Sequence, residues 1–295
     1  MWCGWIIWPV HIATANLNEN ADYLEYITQH RNEYDTPDLR QYWSDVLQDV
    51  EPLSVGRPSL LNGAIEEEHF IHQSEVINLR KFTEIKHYCR AKAITPALFF
   101  RCIYALILKQ YGSPTNPFIV NNALSVRPKG HQSNLGIYVY NLPFVFQPEN
   151  MEDSVTQLLD SARRFQKESK PYKALSTSVR NSIVESSDPE FNYNYLLPMP
   201  QLSLNGTKVK KLTRHSNNVE QVVHLYVQED NEGLTLSLSY SPTAFDSRRL
   251  LERITLIAQQ LLNGTEALSS LNYVLPDELA LLKEWNNTST EYPSD

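Results

Sequence analysis

The eight histidines, at 11, 30, 69, 72, 87, 131, 215 and 224, are the side chains best suited to moving a proton near neutral pH, and their spacing limits what they can do. No two are adjacent. His69 and His72 are three apart in a stretch that reads as a strand, where side chains three apart point to opposite faces, so they are not read as sharing a metal. Half-buried strand histidines are the expectation. Serine, histidine and aspartate are plentiful, but no Gly-x-Ser-x-Gly elbow presents a nucleophile. With nine glycines in all, there is no glycine-rich phosphate loop. Cys3, Cys89 and Cys102 are odd in number without Cys-x-x-Cys spacing, which indicates neither a disulfide framework nor a cysteine-rich zinc site and suits a reducing cytoplasm.

Charge narrows the partners. Lys plus Arg total 26 against 34 Asp plus Glu, a net charge of −8, and this excludes the basic stripe that nucleic acid requires. Lys208, Lys210, Lys211 and Arg214 form the one dense basic patch; it reads either as a solvated loop or as an electrostatic dock whose binding weakens with salt. Arg127 closes an apolar strand, where an ordinary ion pair is the plain expectation. The opening nine residues hold three tryptophans. They fall far short of the ~20 residues that span a bilayer and lack the basic flank and cleavage site of a signal peptide, so neither a membrane nor secretion is expected. The sequons at Asn205, Asn263 and Asn286 then carry no weight.

Elements must position these residues, and the hydrophobic content of 42% over 295 residues is enough for a real core. Helical spacing marks Ala21 to Arg31 and Asp38 to Val50, the second with Leu39, Trp43, Val46 and Leu47 on one side. Glu66 to Ile77 reads as a strand. A helix then carries Leu79, Phe82, Ile85 and Cys89, and Thr95-Pro96 supplies an N-cap and first-turn proline for another, to Tyr111, apolar on most sides. Phe118 to Val126 fits a strand buried on both faces at the sheet centre, followed by strand-like Leu135 to Phe146. After an amphipathic helix with Val155, Leu158, Leu159 and Ala162 come a strand, Phe191 to Tyr195, and a hairpin turning at Asn231-Glu-Gly233. Asp246 is the expected cap of a last long helix with Leu250, Ile254, Ile257 and Leu261, which Asn263-Gly264 ends.

Past that helix, Pro276 and Asp277 open a short segment whose Leu279, Leu282 and Trp285 recur at helical spacing. The run Leu281-Leu282-Lys-Glu-Trp285-Asn286-Asn-Thr288-Ser-Thr-Glu-Tyr292-Pro293 resembles the linker between condensation and adenylation domains in nonribosomal peptide synthetases, where Leu-Leu-x-x-Trp-Asn-x-Thr-x-x-x-Tyr-Pro is typical. Residues 79 to 146 resemble the carboxy-terminal lobe of condensation domains. The matching segments are Ile94-Thr95-Pro96, Leu108-Lys-Gln-Tyr111-Gly112, Ser125-Val126-Arg127, and Leu135-Gly136-Ile137-Tyr138-Val139-Tyr140-Asn141-Leu142-Pro143. With the hairpin and the run Ser239-Tyr240-Ser-Pro-Thr-Ala-Phe245-Asp246, the resemblance covers roughly residues 37 to 293.

The resemblance implies an α/β lobe of the chloramphenicol-acetyltransferase-like type, a mixed sheet flanked by helices. It divides the chain into a partly helical remnant at 1–63, the lobe at 64–265 and a linker at 266–295. It makes Arg127, Tyr138, Tyr140 and Asn141 candidates for the lobe interface or substrate channel, and Leu282, Trp285, Asn286 and Tyr292 candidates for docking an adenylation domain. The basic residues 208 to 214 become a candidate dock for a peptidyl carrier protein; no cofactor is bound directly, phosphopantetheine arriving on that carrier. Three departures stand out. The family's channel asparagine falls at Tyr140, with Asn141 one place later, and in a strand one residue reverses the face. The family's His-Gln-Asp-x-Pro-Phe motif survives only as Glu168-Ser-Lys-Pro171-Tyr172. Its catalytic His-His-x-x-x-Asp-Gly, which belongs to the amino-terminal lobe, is absent. The resemblance thus implies a truncated domain, inactive alone and serving as a platform for an adenylation domain, or else half of an enzyme that forms peptide bonds once its other lobe is supplied.

Overall fold

A computed structural model of the chain describes residues 23–30, 35–51, 53, 71–112, 114–131, 134, 136–147, 149, 154–183, 191–198, 203–204, 207–208, 223–230, 233–240 and 249–287. The elements run α1 (Tyr23–His30), α2 (Pro37–Leu47), β1 (Ile71–Asn78), α3 (Leu79–Ala91), α4 (Pro96–Gly112), β2 (Phe118–Ser125), β3 (Val139–Phe146), α5 (Val155–Glu168), α6 (Thr177–Ile183), β4 (Phe191–Leu196), β5 (Ser203–Leu204), β6 (Thr207–Lys208), β7 (Val223–Glu229), β8 (Gly233–Tyr240), α7 (Leu250–Leu262) and α8 (Pro276–Trp285). A mixed sheet has the order β1-β8-β7-β4-β2-β3, with β2, β4 and β7 parallel and the remaining pairings antiparallel.

Local chemistry starts the helices where the sequence places them. The Leu39 N–H donates to Thr36 Oγ1 at 3.3 Å and the Leu98 N–H to Thr95 Oγ1 at 3.2 Å, each threonine capping a helix whose first residue is proline. From Leu98 to Leu108 every residue of α4 is buried, so this helix is the spine of the core. It lies with α3, α5 and α7 against the sheet face that carries Val120, Phe144, Tyr193, Leu225 and Leu238. A second, smaller cluster joins Leu39, Trp43 and Leu47 of α2 to Leu142, Val145, Leu175 and Val179. Trp43 is wholly buried there, and its Nε1–H donates to the Tyr172 carbonyl at 2.8 Å.

Three expectations change. β2 is not the sheet centre but the fifth of six strands, and its burial fades after Asn121. The reason is long-range: β4, which comes later in the chain, inserts between β2 and β7 and takes the inner position. The last long helix starts at Leu250 with Arg249 as its cap residue, and the expected cap Asp246 lies outside the described residues. His72 is exposed rather than half-buried, because β1 is an edge strand; His69 lies outside the described residues.

Candidate functional site

Arg127 follows the end of β2 and organises the loop that leads to β3. Its Nη1 donates to the His131 and Asn134 carbonyls at 2.8 and 2.7 Å, and its Nη2 to the Gly136 carbonyl at 3.3 Å. The guanidinium also lies 4.1 Å from the Tyr138 ring centre. Among the described residues no carboxylate pairs with it, and a carbonyl cage stands where the ion pair is expected: charge-assisted bonds to three oxygens of one loop engage the planar donor fork.

Tyr138 stands at the centre of an aromatic cluster. It is 2% exposed, edge-on to Tyr23 at 5.0 Å and 4.8 Å from Tyr26, so α1 covers it. Tyr23 reaches the loop backbone as well, donating its hydroxyl to the Ile137 carbonyl at 2.8 Å. A Cβ at Gly136 would sit 2.4 Å from the Tyr23 ring, so only glycine admits it. The Tyr138 hydroxyl and Asn134 Nδ2 lie 3.1 and 3.2 Å from His131 Nδ1. Nδ1 is thus engaged by both groups, as donor or acceptor according to the tautomer.

The four sequence-predicted channel residues therefore do not converge. Arg127 and Tyr138 stack in one cluster, Tyr140 is half-buried beside Leu124 in the α2 cluster, and Asn141 is exposed on the opposite face of β3. Lys208 falls in the short strand β6, paired with Ser203. Lys210, Lys211 and Arg214 lie outside the described residues, as does Tyr292.

The docking candidates are clearer. Leu279, Leu281, Leu282 and Trp285 of α8 are 41, 45, 41 and 68% exposed, and Asn286 is exposed beside them. The helix is nevertheless anchored at its base, where Leu271 and Leu275 are buried. The Leu275 N–H donates to Glu278 at 2.9 Å, Arg249 grips Asp277 at 2.7 and 3.0 Å, and Arg253 holds Glu278 at 2.7 Å. The Arg249 hydrogen bonds hold the Glu252 and Asp277 carboxyls below their usual range. An apolar helical face thus projects from a fixed base.

Two features escaped the sequence reading. Arg101 is buried in α4 between the rings of Phe144 and Tyr193, at 4.3 and 5.4 Å, and no carboxylate among the described residues pairs with it. The second is a set of buried asparagines on the sheet face opposite the main core; the alternation Phe191-Asn-Tyr-Asn-Tyr195 was its available signal. Among the described residues no cluster of three or more His, Cys, Asp or Glu could hold a metal, and no single helix is long and apolar enough to cross a membrane.

A mixed six-stranded sheet with its main helices on one face is the chloramphenicol-acetyltransferase-like α/β architecture. Residues 13–282 match the family model for the condensation domain, and the chain belongs to that family. It is similar to one of the subunits of the mycosubtilin synthase of Bacillus subtilis, 23% identical over an alignment of 294 positions that covers 92% of this chain and 11% of that protein. The chain thus spans a small part of that relative. Among solved structures, it shares its fold with the nonribosomal peptide synthetase FmoA3 at TM-score 0.74 and 14% identity, over 95% of this chain and 31% of that one. The condensation domain of the Monacolin K polyketide synthase MokA follows at TM-score 0.68 and 15% identity, covering 83% and 62%. The X-domain from teicoplanin biosynthesis gives 0.65 and 12%, covering 84% and 60%.

Proposed function

We propose that this chain is a condensation-type lobe of a nonribosomal peptide synthetase that acts as a non-catalytic platform, presenting α8 to an adenylation domain. The observation that carries the reading is α8 itself: three leucines and a tryptophan face outward from a helix whose base is clamped to the lobe. Exposed aromatic and aliphatic anchors on a rigid element are what a protein partner buries first. That FmoA3 has also been solved with α-methyl-L-serine-AMP bound, an acyl adenylate, supports an adenylating partner beside this fold.

The histidines support the non-catalytic part. Peptide-bond formation from a thioester and an amine gains ~10²–10⁴-fold from a positioned general base. No His-His pair exists in the 295 residues. His131 has its Nδ1 engaged by Tyr138 and Asn134, and His224 is buried in the sheet. Phosphopantetheine would enter only as the arm of a carrier protein, with the basic segment from Lys208 to Arg214 as its electrostatic dock.

Light scattering of the chain mixed with an adenylation domain tests this. A one-to-one complex is expected, weakened at least tenfold by Leu282→Ala or Trp285→Ala with no change in melting temperature, since both side chains are exposed. No complex at high micromolar concentration overturns the platform. Amide formation between carrier-bound substrates by the isolated chain overturns the non-catalytic assignment and favours half of a peptide-bond-forming enzyme.

A further inference from the structure

An edge strand carries a row of unpaired N–H and C=O groups, and proteins guard such edges with proline, lysine, bulges or a covering element. The two edges of this sheet differ in that respect. β3 contains Pro143, and α2 packs against its Leu142 and Val145. β1 lacks these devices: Ile71–Asn78 holds no proline, lysine or arginine, and its eight residues pair with β8 without a bulge. On its other side β1 has no neighbouring strand among the described residues. Its one carboxylate, Glu75, is taken up on the helix side, where Oε1 accepts a hydrogen bond from Thr255 Oγ1 of α7 at 2.7 Å.

The side chains of β1 suit a further strand. On the core face Ile71 packs against the main cluster yet stays half-buried, whereas Ile77 on the same face is 5% exposed. On the open face Val76 is 66% exposed, an apolar β-branched side chain of the kind that cross-strand pairing covers. β1 is also complementary to itself. A two-fold axis normal to the sheet runs two copies antiparallel with the same faces aligned. Centred on Ser74, it sets Ile71 opposite Ile77, Gln73 opposite Glu75 and His72 opposite Val76, so apolar meets apolar on the core face and amide meets carboxylate. Other centres fail. An axis on Glu75 sets the two carboxylates against each other, and one on Gln73 or Val76 sets Glu75 against Ile71 or Ile77.

We propose that β1 is a homotypic interface, through which two copies of this chain join edge to edge about Ser74 into one continuous sheet. It uses β1 and not α8, so it stands or falls independently of adenylation-domain docking. A ladder from Ile71 to Ile77 in each copy is short, which puts the interface in the small, reversible class.

Sedimentation equilibrium of the chain from low to high micromolar concentration tests this. A monomer–dimer equilibrium is expected, with hydrogen exchange at Ile71 to Ile77 slowing as concentration rises. Gln73→Glu places a carboxylate opposite Glu75 twice, by symmetry, and should weaken the dimer about tenfold, whereas Gln73→Lys should tighten it by a similar factor. Both variants should keep the wild-type melting temperature at low concentration. Ser74→Cys reads the register separately: with oxidised glutathione it should form a disulfide between copies at concentrations where His72→Cys, away from the axis, does not. A monomer at every concentration overturns the proposal. So does a dimer equally stable in both Gln73 variants, or exchange in β1 that ignores concentration, because another surface would then hold the copies together. Equal cross-linking at positions 72 and 74 overturns the pairing about Ser74.

Discussion

His224 is held near a pKa of about 4 by desolvation, whereas the same group in an unfolded chain titrates at its ordinary 6.5. Between those values the unfolded chain binds a proton that the folded one does not, so stability is level above pH 6.5, falls toward pH 4 and levels again below it. The full span is on the order of 3 kcal/mol. Urea unfolding of wild type and His224→Gln at about pH 7 and about pH 4.5 should show the variant losing about 2 kcal/mol less on acidification; identical losses would remove His224 as the cause. The position of this histidine was legible as a strand residue between apolar neighbours, but its neutrality was not. Its neighbours across the sheet, Asn192 and Ser239, arrive from strands 32 and 15 residues away, as their register shows. The same holds for Arg127: the sequence places it at the end of a strand, and only the folded loop reveals that its partners are carbonyls.

At the scale of elements, what the sequence shows best is whatever is written locally. Thr95-Pro96 announces its helix because cap and first-turn proline are fixed by adjacent residues, and Thr36-Pro37 proves to start α2 in the same way, one residue before the expected Asp38. The hairpin of β7 and β8 is equally local, and Gly233 shows why its turn needs glycine. At φ +149° a Cβ there would sit 2.1 Å from the Ile77 carbonyl and 2.8 Å from the Asn78 carbon, both backbone atoms of β1. Gly233→Ala should therefore part β1 from β8 where Gly233 meets Asn78 and cost roughly 3 kcal/mol by denaturant unfolding. Gly264→Ala serves as the contrast. Its φ is +90° with no described atom within 4 Å of the added carbon, so the left-handed backbone alone costs about 1 kcal/mol. Equal losses would show that the clash with β1 is not what Gly233 avoids. Strand order is not local in this way. The apolar run Phe118 to Val126 reads as central, yet the parallel insertion of β4 beside Asn121 and Asn122 sets its place.

For the whole molecule, the main core and the outward face of α8 are separate structures, joined by buried Leu271 and Leu275 and by a small polar clasp. Burial of α3, α4, α5 and α7 on one sheet face does not involve the outer face of α8. Arg249 with Glu252 and Asp277, and Arg253 with Glu278, make the clasp. The family order of segments was readable along the chain, whereas this clasp pairs residues 28 and 25 positions apart and could not be read from spacing. Because the Glu252 and Asp277 carboxylates are solvent-exposed, salt screens the Arg249 half of the clasp over a Debye length of about 8–10 Å more than the shielded Arg253–Glu278 half, and loss of the whole clasp should loosen α8 without unfolding the core. The double substitution Arg249→Ala with Arg253→Ala should raise hydrogen exchange at Leu279 to Trp285 and weaken adenylation-domain binding, while the unfolding midpoint stays nearly fixed. Raising salt from about 0.05 to about 0.5 M should move wild type in the same direction. Unchanged exchange in α8 would mean that Leu271 and Leu275 alone set the helix; a collapse of the midpoint would mean that α8 belongs to the cooperative core rather than projecting from it.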